Sequence, residues 1–236
     1  MSDHTQDYDV IRERYEKAAA EKKTAIEQVE FTRFSVRSLF SNVDSCLKQA
    51  CKYNQQPART TAILDLGCGT GNYYDLLRKY YPDSNLTAVD VVSSNVQYCL
   101  QRGYEQGKVF NIIHADSNFA ENEFDLVFSV EVIEYISLED YDLLFSGIHK
   151  LLRPGGLVVL IFPNLQSLVR KLIKPSKKDF PFNYGFEDIR KSLDKNRFTL
   201  LRWFATDLTT AITLSSTTMN RLLSLMGFRL GMLLLK

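Results

Sequence analysis

Residues 61–71 read Thr61-Ala62-Ile63-Leu64-Asp65-Leu66-Gly67-Cys68-Gly69-Thr70-Gly71, and Asn72–Tyr81 beyond them has helical patterning. An apolar run of strand length that ends near a carboxylate and opens through alternate glycines into a helix is a strand–turn–helix unit. Glycines let the backbone turn sharply and let a ligand approach the main chain where any Cβ would obstruct it. The spacing excludes the dinucleotide fingerprint, which needs a small sixth residue to seat its helix. Counted from Gly67 that residue is Asn72, and counted from Gly69 it is Tyr74. Asp65, near the strand's end, would repel a pyrophosphate and suits a ligand carrying positive charge.

Outward from this turn, strand-sized runs recur at Leu86–Val91, Val109–His114, Phe124–Val130 and Gly156–Phe162. They are rich in Ile, Val and Leu, as strands buried on both faces are. Helical patterns lie between them at Ser94–Arg102 and Leu138–Leu152, the second stopped by Arg153-Pro154-Gly155-Gly156. The alternation predicts an α/β fold, a doubly wound and mostly parallel sheet that binds ligands beyond the carboxyl ends of its strands. Two further carboxylates stand at such ends, Asp90 followed by Val91 and Asp116 followed by Ser117. Asp90 can accept hydrogen bonds from both hydroxyls of a ribose, and Asp116 is placed to reach an adenine amino group. Any one of the three acids reads equally well as a cap or turn residue. Three in register with the glycine turn indicate a cofactor that joins an adenosine to a cationic group.

In order along the chain, Ile63–Gly71, Val89-Asp90, Ala115-Asp116, Phe124-Asp125-Leu126-Val127 and Leu152-Arg153-Pro154-Gly155-Gly156 resemble the motifs of class I S-adenosylmethionine-dependent methyltransferases. The resemblance implies a Rossmann-like seven-stranded sheet whose last strand, here Gly231–Leu235, is antiparallel, with S-adenosyl-L-methionine as cofactor. It also implies that Gly67 and Gly69 pass under the methionyl part, with Cys68 and Gly71 in the same turn. Asp65 would contact the ammonium group, directly or through water. Asp90 with Val91 would hold the ribose, Asp116 with Ser117 would flank the adenine, and Val130 would line the sulfonium end. Ser129–Tyr135 is similar to the Glu-Val-Ile-Glu-His segment of ubiquinone-type small-molecule O-methyltransferases. Tyr135 replaces the His, so Tyr135, Glu131 and Glu134 are the candidates for acceptor contact or base.

By the same resemblance, residues 1–56 are a helical lid over the cofactor, with Tyr15, Arg33 or Arg37 a partner for the methionyl carboxylate, and residues 57–236 are the methyltransferase domain. Leu165–Lys178 is a basic amphipathic stretch carrying Arg170, Lys171, Lys174, Lys177 and Lys178, and Phe180, Phe182, Tyr184 and Phe186 follow. Three readings stay open for it: a solvated face, an element that recognises an anionic acceptor, or a peripheral contact with anionic lipid. Further on, Phe186–Leu193 reads as a helix, Phe198–Phe204 as a strand and Thr209–Met226 as a helix.

Composition narrows the alternatives. With 236 residues, 45% hydrophobic, and 29 Lys+Arg against 28 Asp+Glu, the chain is neither disordered nor a generally basic nucleic-acid binder. The Asp/Asn-Pro-Pro-Tyr/Phe sequence of DNA amino-methylating enzymes is absent after the fourth strand, which argues against DNA as substrate. Cys46, Cys51, Cys68 and Cys99 follow no metal-ligand spacing and read as reduced thiols of a cytoplasmic protein that holds no metal. The N-terminus reads as lacking a secretory signal, and the most apolar run, Leu222–Leu235, is broken by Arg229 and shorter than the ~20 residues of a membrane span. The expectation is an enzyme, monomeric or homodimeric, that methylates an oxygen or nitrogen of a small-molecule acceptor. RNA and membrane-associated lipid are the alternative acceptors, and a non-catalytic binding subunit is the rival outside enzymology.

Overall fold

The computed structural model describes residues 12–13, 16–17, 33–53, 61–164, 185–206 and 229–236. Among them, seven strands form one sheet in the order β3-β2-β1-β4-β5-β7-β6. β1 (Ala62–Leu66), β2 (Asn85–Asp90), β3 (Gln106–Val109), β4 (Phe124–Val130) and β5 (Leu152–Pro163) run parallel. β7 (Arg229–Leu235) is antiparallel to β5 and to β6 (Thr199–Thr206). The seven-stranded sheet with its antiparallel last strand is the one the sequence predicts.

Side-chain alternation along each strand builds two cores. Ile63, Ala88, Phe128 and Val159 face α1 (Arg33–Tyr53), α2 (Tyr74–Tyr80) and α3 (Ser93–Arg102), which contribute Val43, Leu47, Leu77 and Cys99. Their neighbours Leu64, Val89, Val127 and Val158 face α4 (Tyr141–Leu151) and α5 (Phe186–Lys195), which contribute Leu144, Ile148, Ile189 and Leu193. This is the period-two pattern of strands covered on both sides. Burial of each of the Val, Leu, Ile and Phe side chains among them is worth about 1.5–3 kcal/mol.

Three boundaries differ from the sequence reading. First, Val43, Cys46, Leu47 and Ala50 are fully buried against the sheet, so α1 over these residues is a layer of the core. Tyr15 and the side chains of Arg33 and Arg37 lie outside the described residues. Second, the run Val109–His114 is not a strand. β3 stops at Val109, and Ile112–Ser117 is a 3-10 helix whose preceding residue Asn111 caps it, Oδ1 accepting from the Ile113 N–H at 3.2 Å. Third, β5 begins at Leu152, which pairs with Phe124, and regains register at Leu157 opposite Leu126 after an irregular stretch in which Gly155 has φ +77°. The basic stretch Leu165–Lys178, the aromatics Phe180, Phe182 and Tyr184, and the helix expected over Thr209–Met226 lie outside the described residues.

The strand order places the site. From β1 the chain winds outward through β2 and β3, then returns to lay β4 on the other side of β1. The crevice at such a reversal, beyond the carboxyl ends of β1 and β4, is where open α/β sheets receive ligands.

Candidate active site

The turn after β1 is shaped by three left-handed glycines, Gly67 (φ +80°), Gly69 (φ +51°) and Gly71 (φ +70°). Each is constrained differently. A Cβ on Gly67 would lie 2.3 Å from Val132 Cγ2, and one on Gly71 would lie 3.2 Å from Cys99 Sγ and 3.5 Å from Tyr104 Cε2. A Cβ on Gly69 would meet nothing within 4 Å, so the space over Gly69 is open. The turn is fastened to β2 because the N–H groups of Gly67 and Cys68 donate to the Val89 carbonyl at 2.8 and 2.9 Å.

Asp90 ends β2 directly beside this turn. Its Oδ2 accepts the Gly69 N–H at 2.9 Å and its Oδ1 accepts the Val92 N–H at 2.9 Å. Burial raises its pKa, and hydrogen bonds from the Val92 and Gly69 N–H groups, the Asn95 side chain and the Val91 backbone oppose the rise. An ionised carboxylate has about four acceptor positions. With backbone N–H groups on both oxygens, and Asn95 and Val91 also bonding to it, the group is held in a fixed orientation at the edge of the turn.

Asp65 is buried at the end of β1 and accepts a 2.6 Å hydrogen bond from the Tyr104 hydroxyl, also buried. Burial pushes the carboxyl up to about 7, against the Tyr104 bond, and the Asp90 charge adds to the rise. Burial and then the charge of Asp65 raise the Tyr104 phenol in turn. Cys68 is buried in the same turn, its thiol raised first by its hydrogen bond with Cys99 and then by burial. The site therefore holds two buried carboxylates with raised pKa values, which an added positive charge would relieve. Sequence reading missed Tyr104, because 39 residues separate it from Asp65. Its one local signal is Gly103, the left-handed residue that ends α3 at φ +113°.

Asp116 is not at a strand end. It sits in the 3-10 helix, packs toward Gly147 of α4 and pairs with Lys150 at 2.8 Å, while Ser117 is exposed. The residues that follow β3 at its carboxyl end are Phe110 and Asn111. Val91 is half-buried after β2.

On the other side of β1, Val130 ends β4 and is buried. Glu131 follows with φ +58° and donates its N–H to the Ile161 carbonyl at 2.8 Å. A non-glycine residue in the left-handed region is strained, and such residues gather at functional sites. Glu134 is buried and Tyr135 half-buried in the short 3-10 helix Ile133–Tyr135, which Tyr141 of α4 anchors by donating to the Ile133 carbonyl at 3.1 Å. Asn164, just past β5, is buried on the same edge. At the usual ~4.8 Å strand spacing, the row from Asp90 across β1 to Glu131 spans about 10 Å.

Residues 64–160 match the family described as "Methyltransferase domain". The chain is 25% identical over 138 residues to malonyl-[acyl-carrier protein] O-methyltransferase 2 of Ilyobacter polytropus, a match covering 56% of this chain and 52% of that protein. It is 31% identical over 127 residues to a tRNA N(3)-cytidine methyltransferase of Gallus gallus, covering 48% of this chain and 33% of that protein. The chain thus spans about half or less of the length of these curated relatives. Among solved structures, the fold matches magnesium protoporphyrin IX methyltransferase of Synechocystis with bound SAM, at TM-score 0.68 and 16% identity over 100% of both chains. It also matches a SAM-dependent methyltransferase of Archaeoglobus fulgidus, at TM-score 0.61 and 17% identity over 84% of this chain and 94% of the other.

Proposed function

We propose that the chain is an S-adenosylmethionine-dependent methyltransferase acting on an oxygen, or else a nitrogen, of a small-molecule acceptor. The observation that carries this reading is the pairing of two buried carboxylates of different surroundings around an open glycine turn. Asp90 is oriented by two backbone N–H groups for a diol, and Asp65 is held by a phenol where a cation would offset its burial. The space over Gly69 leaves room for the ligand between them.

When bound, S-adenosylmethionine supplies a methyl carbon already activated by its sulfonium, so the protein's work is alignment and, for a protonated acceptor, proton removal. In this reading Asp90, with Val91 beside it, accepts from the ribose hydroxyls. Asp65 meets the ammonium group, and Gly67, Cys68, Gly69 and Gly71 supply the cradle. Val130 borders the sulfonium end. Asn111, after β3, replaces Asp116 and Ser117 as the residue nearest the adenine position, since Asp116 is committed to Lys150. Glu131 is the first candidate to contact the acceptor or take its proton, with Tyr135 beside it and Glu134 supporting the loop. Within this reading, an anionic acceptor fits the bases between Arg170 and Lys178, which the chain carries between the carboxyl end of β5 and the start of α5. The name of the acyl-carrier relative supports a carboxylate acceptor and O-methylation. RNA as acceptor is the second reading, favoured by the tRNA-methylating relative.

The test is calorimetric titration with S-adenosylhomocysteine, followed by transfer of labelled methyl from S-adenosylmethionine to a panel of carboxylates, phenols, amines and tRNA. Binding with transfer to a small molecule is expected. No binding would end the enzyme reading, and transfer to tRNA alone would install the second.

A further inference from the structure

Tyr104 lies behind the glycine turn with little freedom to move. Gly103 and Glu105 on either side of it are stapled by Arg78, which donates to the Ser84 carbonyl at 2.6 Å, the Gly103 carbonyl at 3.0 Å and Glu105 Oε1 at 2.5 Å. The second oxygen of Glu105 accepts the Leu86 N–H at 2.6 Å, tying the same turn to β2. The Tyr104 ring stands 5.5 Å from the ring of Tyr74 and borders Gly71, where an added Cβ would lie 3.5 Å from its edge. From this fixed position its hydroxyl donates to Asp65 Oδ2 at 2.6 Å. The other groups that act on Asp65 and Tyr104 are Asp90 at the end of β2, Cys68 in the glycine turn and Cys99 on α3. All are acidic or neutral.

We propose that Tyr104 is a positioning residue for the cofactor: it engages Asp65 Oδ2, turns Oδ1 toward the ligand's ammonium group, and holds Asp65 ready to ionise when that group arrives. The inference rests on the cofactor reading above and deepens it. A phenol donor favours the ionised carboxylate, while burial disfavours it. Without the hydroxyl, Asp65 stays protonated to a higher pH, and a cationic ligand must displace the proton at greater cost. A purely structural tyrosine would instead scale affinity equally at every pH.

The test is titration of S-adenosylhomocysteine, which carries both the ribose and the ammonium group, into wild type, Tyr104→Phe, Asp65→Asn and the double variant from pH 6 to 9, with folding checked by circular dichroism. Tyr104→Phe is expected to bind about tenfold more weakly at pH 7, the low end for a hydrogen bond to a charged group, and to approach wild type near pH 9. Its affinity–pH curve should be displaced upward in pH, and the displacement should vanish in the Asp65→Asn background. Arg78→Gln, which loosens the turn but keeps the hydroxyl, should move the curve the same way by less. A Tyr104→Phe curve parallel to wild type would overturn the proposal, as would an undiminished pH effect in Asp65→Asn. Absence of wild-type binding at every pH would overturn the cofactor reading and this inference with it.

Discussion

Gly69 donates its backbone N–H to Asp90 Oδ2 at 2.9 Å, so the turn after β1 and the end of β2 are one hydrogen-bonded unit. The bond explains why an acidic residue at position 90 and a glycine at position 69 belong together. The carboxylate fixes the left-handed glycine, and the glycine's N–H orients the carboxylate. Asp90→Ala should weaken S-adenosylhomocysteine binding by about 1.5–3 kcal/mol, the range for hydrogen bonds to charged groups. Asp90→Asn, whose amide oxygen can still accept one N–H, should recover part of the loss. Calorimetry gives the numbers, and an unchanged affinity in Asp90→Ala would remove this residue from the cofactor site.

Asp65 links the site to pH. Its carboxyl is raised from 3.8 to about 7 by burial, so the folded state binds a proton that the unfolded state has released. The stability contributed by the neutral form is full below about pH 4 and lost as pH rises through about 7. Asp65→Asn keeps a neutral side chain at all pH, so its melting temperature should gain on that of wild type between pH 5 and pH 8. A cationic ligand favours the ionised form, so wild-type binding at pH 6.5 should release up to one proton and tighten toward pH 8. Titration in two buffers of different ionisation enthalpy measures that proton. Identical heats in both would show that Asp65 does not ionise on binding.

The site's legibility in the sequence followed the range of the interactions that build it. Asp65, the glycines and Asp90 announce themselves because strand, turn and helix are contiguous and their backbone demands are local. Asp116 reads as a strand-end residue because Val109-Phe110-Asn111-Ile112-Ile113-His114 is a short apolar run that periodicity alone cannot assign to strand or helix. The Asn111 cap decided it, and Lys150, 34 residues away, claimed the carboxylate. Tyr104 carries no signal of its own in the sequence for the same reason: its hydroxyl finds its partner, Asp65, 39 residues away. The N-terminal helix was set apart because its charged surface resembles an appendage, while its buried stripe, Val43, Leu47 and Ala50, is matched only by the sheet it covers.

Gly67 and Gly69 share a left-handed backbone but differ in what surrounds them, and alanine at each should separate folding from binding. At Gly69 the added methyl meets nothing, so Gly69→Ala should cost only the backbone term, about 1–2 kcal/mol, while the methyl enters the open space and blocks S-adenosylhomocysteine. At Gly67 the same methyl would press on Val132 at 2.3 Å, adding an overpacking cost of about 1–3 kcal/mol. Trimming the obstacle with Val132→Ala should return part of the Gly67→Ala loss. Urea denaturation resolves these differences. Equal stability of the two glycine variants would mean that Val132 moves aside freely.

Glu131 occupies a conformation that glycine would adopt more easily, φ +58° directly after β4, while its N–H holds the Ile161 carbonyl of β5. A structural role for the residue would be better served by glycine, so the strain points to the side chain. Glu131→Gly should leave stability within about 1 kcal/mol of wild type, because relief of the left-handed strain and the greater freedom of unfolded glycine nearly offset each other. Glu131→Gln keeps the shape and removes the charge. If the carboxylate takes the acceptor's proton, both variants should bind S-adenosylhomocysteine normally and lose methyl transfer by about 10²–10⁴-fold, the usual worth of a general base. Glu134 provides the contrast, since it is buried in the loop's own 3-10 helix and Glu134→Gln should show first as a lower melting temperature. Full transfer activity in Glu131→Gln would shift the search for the base to Tyr135.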